Sequence, residues 1–206
     1  LRAFISALAL SALFAVLGCE KKAEQAAEPV AAPAEGRQAP AAEPTAAPTP
    51  AAVAGVWKEY APAGTGFKAL MPGTPKVEKQ EQPTDVGPIM MHIHMVEKDS
   101  AAFLVMYSDF PEAMIKAVEP DVLLDGGVEG AAQGGKLLSQ KKIELDGHKG
   151  REFVAEKTEG ALVLTLKART FLVGNRLYQT ITSALKGGEP WADIEKFLAS
   201  FELVKG

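Results

Sequence analysis

With one cysteine in 206 residues, this chain has no second thiol for an intrachain disulfide and cannot assemble the multi-cysteine sets of structural zinc sites. Histidine is nearly as scarce, at His92, His94 and His148. No charge dominates: 22 basic and 26 acidic residues leave a net charge of −4 with no basic cluster. Nucleic acid is therefore not an expected partner, because neutralising phosphates requires a positive face. Nucleophile-elbow and phosphate-loop patterns are missing too: no GxSxG occurs, and the glycines at 126, 127, 130, 134 and 135 are not followed by Lys-Ser or Lys-Thr. No long hydrophobic run is present either. Ala3 to Gly18 is uncharged but only 16 residues long. At about 1.5 Å per residue it reaches roughly 24 Å, short of the roughly 30 Å hydrocarbon core of a bilayer.

What is present at that end has the proportions of a signal peptide: Arg2, an apolar stretch, then small residues before the lone Cys19. Val16-Leu17-Gly18-Cys19 resembles the lipobox of bacterial lipoproteins. The resemblance implies cleavage before Cys19 and acylation of its sulfur and new amino terminus, so residues 1–18 are expected to be removed. Two or more acyl chains hold a protein on a membrane where one does not. Glu20, in place of Asp, implies export to the outer membrane, with the protein facing the periplasm. The membrane, reached through acylated Cys19, is thus one expected partner.

Composition changes sharply after the cysteine. Glu20 to Gly55 holds 14 Ala and 6 Pro among 36 residues, no aromatic, and only Val30 and Val53 as larger aliphatics. Such a segment has too little apolar surface to offset its ordering entropy, and its prolines interrupt every helical run. Residues 19–55 are read as the lipidated cysteine and a disordered tether.

Residues 56–206 hold both Trp, all three Tyr and seven of the nine Phe, enough for one core. Alternation predicts strands at Phe67 to Met71 and Ile89 to Val96, and Ala102 to Ser108 is continuously apolar enough to be a central strand. Helical spacing marks Pro111 to Val118, then Asp121 to Gln133 with Asp121 as a cap, and a last helix opened by Pro190. Two hairpins follow from turns at Asp146-Gly147 and Gly174-Asn175, and Phe201 to Val204 reads as a short closing strand. Strands and helices without βαβ alternation indicate an α+β fold, an antiparallel sheet covered by two or three helices.

The segments FKALMPGTP from Phe67, LVMYSDFP from Leu104, LLDGGVEG from Leu123, GKLLSQKKIELDGHKGREF from Gly135, RTFLVGNRLYQ from Arg169 and FLASFEL from Phe197 add a resemblance. Together they look like a bacterial family of secreted or lipid-anchored domains similar in fold to PsbP, the photosystem II extrinsic subunit P. The resemblance implies a PsbP-like α/β/α sandwich and an accessory or assembly role on a larger envelope complex. It carries over no active site.

The chemistry inventory is short. His92 and His94, two apart on a strand, share a face, a geometry in which two imidazoles can hold one ion. They are the candidate metal ligands, but two ligands do not make a catalytic zinc site, and the preferred reading puts both on the wet face opposite Ile89, Met91, Ile93 and Met95. Ser108-Asp109 reads as a strand-to-helix corner, the glycines after Asp125 as helix interruption and termination, and Met90, Met91, Met95, Met106 and Met114 as core filler. No cofactor and no catalytic residue is assigned. The expected function is binding to an unidentified envelope protein; the alternatives are carriage or sensing of a small apolar ligand, and metal binding through His92 and His94.

The anchor reading is tested directly. Cys19→Ser should abolish incorporation of labelled fatty acid into the chain, and a variant that still carried the label would overturn it.

Overall fold

The computed structural model describes residues 56–83, 87–132 and 134–204. The expected signal peptide, Cys19 and tether all lie outside the described residues. Ten strands and three helices are described: β1 (Lys58–Tyr60), β2 (Phe67–Met71), β3 (Lys76–Gln82), β4 (Ile89–Lys98), β5 (Ala101–Asp109), α1 (Glu112–Ala117), α2 (Pro120–Ala131), β6 (Gly135–Leu145), β7 (His148–Glu159), β8 (Leu162–Val173), β9 (Arg176–Leu185), α3 (Trp191–Ala199) and β10 (Glu202–Leu203). Seven strands form one sheet in the order β3-β4-β5-β9-β8-β7-β6, with every neighbour antiparallel. A second sheet, β1-β2-β10, has three strands.

The large sheet is covered on both faces, which is why Ala101 to Ser108 of β5 is buried without a break. On one face Phe103, Val105 and Tyr107 meet Phe67, Ala69 and Met71 of β2 and Ile194, Phe197 and Leu198 of α3. On the other, Leu104 and Met106 join Met91, Ile93 and Ile181 beneath Val128 of α2. Leu123 and Leu124 of α2, with Met114 and Ile115 of α1, close over Ile89, Phe110 and Leu177. The antiparallel sheet with a few helices is therefore as expected. The protein is richer in strand than the sequence suggests, and one face is covered by the small sheet as well as by a helix.

Three local expectations change. Asp121 does not cap its helix: Glu119 holds the N-cap position, and Asp121 instead accepts a 2.5 Å hydrogen bond from Arg151 on β7. Arg151 also binds Asp125 at 2.8 Å, so a buried guanidinium pins the first half of α2 to the sheet. Gly126, Gly127 and Gly130 do not interrupt the helix, which runs through them. At Gly127 the reason is close approach, since a Cβ there would lie 3.2 Å from Leu177 and 3.7 Å from the Thr170 hydroxyl. The sequence reading also misses β3, whose KVEKQEQ has only one large apolar residue. It forms because β4 offers a free edge, and its charges suit an edge strand.

Gly150 of β7 marks the tightest strand contact. A Cβ there would stand 2.5 Å from both the Phe171 ring and the Thr170 carbonyl oxygen, and Phe171 is itself stacked on Phe201 at 5.9 Å. Gly150→Ala should thus destabilise the protein by about 1–3 kcal/mol through overpacking. The urea unfolding midpoint measures this, and an unshifted midpoint would mean that the two strands yield freely at that point.

Candidate functional site

Side chains alternate along β4, β5 and β9, so the antiparallel register decides which of them meet on each face. His92 stands opposite Tyr107, Tyr107 opposite Tyr178, and Asp109 opposite Arg176. The His92 ring lies 4.5 Å from that of Tyr107 and nearly parallel to it, at 7°. From the strand on the other side of β5, the Arg176 guanidinium sits 4.6 Å from the same Tyr107 ring. Two hydrogen bonds of 2.6 and 2.7 Å tie Arg176 to Asp109, and a third of 2.9 Å reaches the Thr65 carbonyl, which also accepts from the Tyr178 hydroxyl. The Asp109 carboxylate, bound so directly, holds the guanidinium pKa above its ordinary value. This His92-Tyr107-Arg176 shelf lies beside Met90, 39% exposed, and Val77, 52% exposed.

His94 faces the same way but is not solvated. It is 4% exposed, caged by the rings of Tyr60, Phe67 and Tyr107 at 5.5–6.0 Å. The expected wet face therefore fails at His94, because β1 and β2 cover that end of β4, and holds only in part at His92, which is half-buried. The Tyr60 hydroxyl lies 2.9 Å from His94 Nδ1, while Nε2 is buried with no hydrogen-bond partner. Burial lowers the His94 pKa, with a smaller contribution from His92. At His92 burial again comes first, followed by the Lys79 ammonium across the strand. Tyr60 and Tyr107 are pushed up by burial.

His148 does not join this pair. It opens β7, four strand positions from β4, roughly 19 Å at about 4.8 Å per strand. Among the described residues no group of three or more His, Cys, Asp or Glu is placed to hold a metal ion. Ser108 lies on the opposite face of the sheet from both strand histidines, where it lines an apolar cavity with Met91 and Met106. The sheet itself keeps hydroxyl and imidazole apart. Of the five methionines expected to fill the core, Met91 and Met106 are core, Met95 and Met114 pack against it, and Met90 is exposed. Tyr60, Tyr107, Tyr178 and Arg176 went unrecognised in the sequence. The one available signal was their alternation within strands, which does not say which strand is the neighbour.

No family model matches the sequence, and no curated protein matches it. Among solved structures, the chain is similar to cyanobacterial PsbP from Synechocystis, at 14% identity over 77% of this chain and 98% of that one, with a TM-score of 0.48. It is also similar to a protein of unknown function from Pseudomonas aeruginosa, at 12% identity over 68% and 90%, with a TM-score of 0.39. A third, from Bacteroides thetaiotaomicron, aligns at 12% identity over 72% and 48%, with a TM-score of 0.44. At these identities and TM-scores the likeness bears on neither activity nor partner.

The caged imidazole sets a pH dependence. Because the folded-state pKa of His94 is lowered, the unfolded chain takes up the proton first as pH falls. Its contribution to stability is complete above the unfolded pKa of about 6.5 and is lost progressively below it. Melting temperature should therefore decline from about pH 6.5 towards 5, and His94→Gln should flatten that decline. An identical pH slope in the variant would remove His94 as its source.

Proposed function

We propose that this protein is a lipid-anchored envelope protein that acts by binding, as a non-catalytic accessory of a larger complex, and that the shelf of His92, Tyr107 and Arg176 is where the partner docks. The observation that carries this reading is exposed Met90 and Val77 beside that preorganised ring stack. Tyrosine, arginine and methionine are enriched at interface centres, and a guanidinium already fixed by Asp109 loses little freedom on binding. Ion pairing elsewhere supports a structural use of the charged groups. Glu152 is pushed up by burial, but hydrogen bonds from Lys141 and Arg169 outweigh this and leave its pKa lowered. Acylated Cys19 supplies the membrane attachment in this reading, and the tether the reach.

A second reading, binding of a small apolar ligand, is favoured by one feature, the cavity between the sheet and α2. Its sheet wall includes Met91, Leu104, Met106 and Leu166, and its helix wall Gly127, Gly130 and Ala131.

Photoreactive residues placed singly at Met90 and Val77 in cells should give the same crosslinked partner. Val122, 60% exposed on α2 and away from the shelf, is the control. No adduct at either position, or the same adduct from position 122, would sink the docking assignment.

A further inference from the structure

We propose that the cavity under α2 is a channel for the hydrocarbon chain of a fatty acid, with the carboxylate held at Lys157; this rests on the apolar-ligand reading and gives it a substrate class. The shape points to a chain. The lining runs diagonally from Gln82 on β3 to Lys157 on β7, five strand spacings, or roughly 24 Å along the sheet at about 4.8 Å each. The space within is small for that length, about 70 Å³. A dry void of about 150 Å³ takes up benzene. The ligand-free space is thus too small for a compact ring, and any occupant has to widen it along the length of its lining.

Both walls are able to widen. Met91 and Met106 are unbranched and adaptable, so they can repack around a chain. Opposite them, α2 carries Gly126, Gly127 and Gly130, each about 1 kcal/mol poorer than Ala as a helix former. Arg151 clamps only the first half of this helix, through Asp121 and Asp125. Among the described residues, the half that faces the channel makes one side-chain hydrogen bond to the sheet, 3.1 Å from Gln179 to the Gly127 carbonyl, and otherwise rests on it through the buried Val128. Opening therefore means lifting the glycine-rich half while the clamped half stays in place.

One end of the channel carries a cation. The Lys157 ammonium is 3.0 Å from Glu159, and both side chains are partly exposed. A fatty-acid carboxylate replaces Glu159 on that ammonium while the chain follows the lysine stem inward.

The full chain is titrated with palmitate, hexadecanol and naphthalene, and binding is read by calorimetry and by the shift in melting temperature. Palmitate and hexadecanol should bind and naphthalene should not. Lys157→Gln should weaken palmitate about tenfold and leave hexadecanol unchanged, as the loss of one charge-assisted contact predicts. Glu159→Gln, which removes the competing carboxylate, should tighten palmitate. Both substitutions are at the rim, so folding is retained. If naphthalene binds and palmitate does not, the channel proposal falls while the apolar-ligand reading stands; if none of the three binds, both fall. Palmitate binding that Lys157→Gln does not alter would overturn the placement of the carboxylate.

Discussion

The rest of the structure depends on the pairing of β5 with β9. These strands are joined through residues 67 apart in the chain, Asp109 and Arg176, in one antiparallel register. The pairing unites the β3-β4-β5 half of the large sheet with the β9-β8-β7-β6 half, within each of which strands pair only with their sequence neighbours. A slip of one residue would turn every side chain of β5 to the opposite face, where Phe103 would leave Phe197 and Leu104 would leave the α2 side. The Arg176-Asp109 bidentate bond is partly exposed and is worth no more than about 1 kcal/mol, but its geometry is satisfied in only one register.

From that pairing follows the distribution of chemistry. A sheet covered on both sides sorts residues by parity, so His92, His94, Tyr107, Tyr178 and Arg176 share one face while Ser108, Gln179 and Met106 share the other. Aromatic packing then separates the two histidines that parity brings together. Phe67 of β2 has the rings of Tyr60, His94, Tyr107, Tyr178 and Phe201 within 6.4 Å, and this cluster closes over His94 but stops short of His92. One imidazole becomes part of the core and the other part of a surface.

The second face is closed less firmly. Its main cover is α2, a helix of low intrinsic propensity attached by a buried arginine at one end and resting on the sheet through glycines and Val128 at the other. Small residues let the helix approach Leu177 and Thr170 closely, and they also leave the narrow space beside Leu104 and Leu166. Close contact at one point and a void beside it both arise from the missing side chains.

By itself the sequence determined the local structure. Alternation in Phe67 to Met71, the apolar run of Ala102 to Ser108, the hairpin turns at Asp146-Gly147 and Gly174-Asn175, and the helical spacing of Trp191, Ile194, Phe197 and Leu198 are short-range patterns, and each became the element it indicates. The α+β class was legible for the same reason. Strand β3 was not, because a polar edge strand takes its conformation from a neighbour and not from its own apolar pattern. Which site those elements would build was also beyond local reading. That His92 and His94 share a face follows from a period of two, but that one is caged and the other stacked on Tyr107 was decided by β1, β2 and β9, strands distant in sequence. Likewise Asp121 has the sequence context of a cap, and only tertiary packing brought Arg151 to it, because a buried guanidinium must find carboxylates wherever the fold places them.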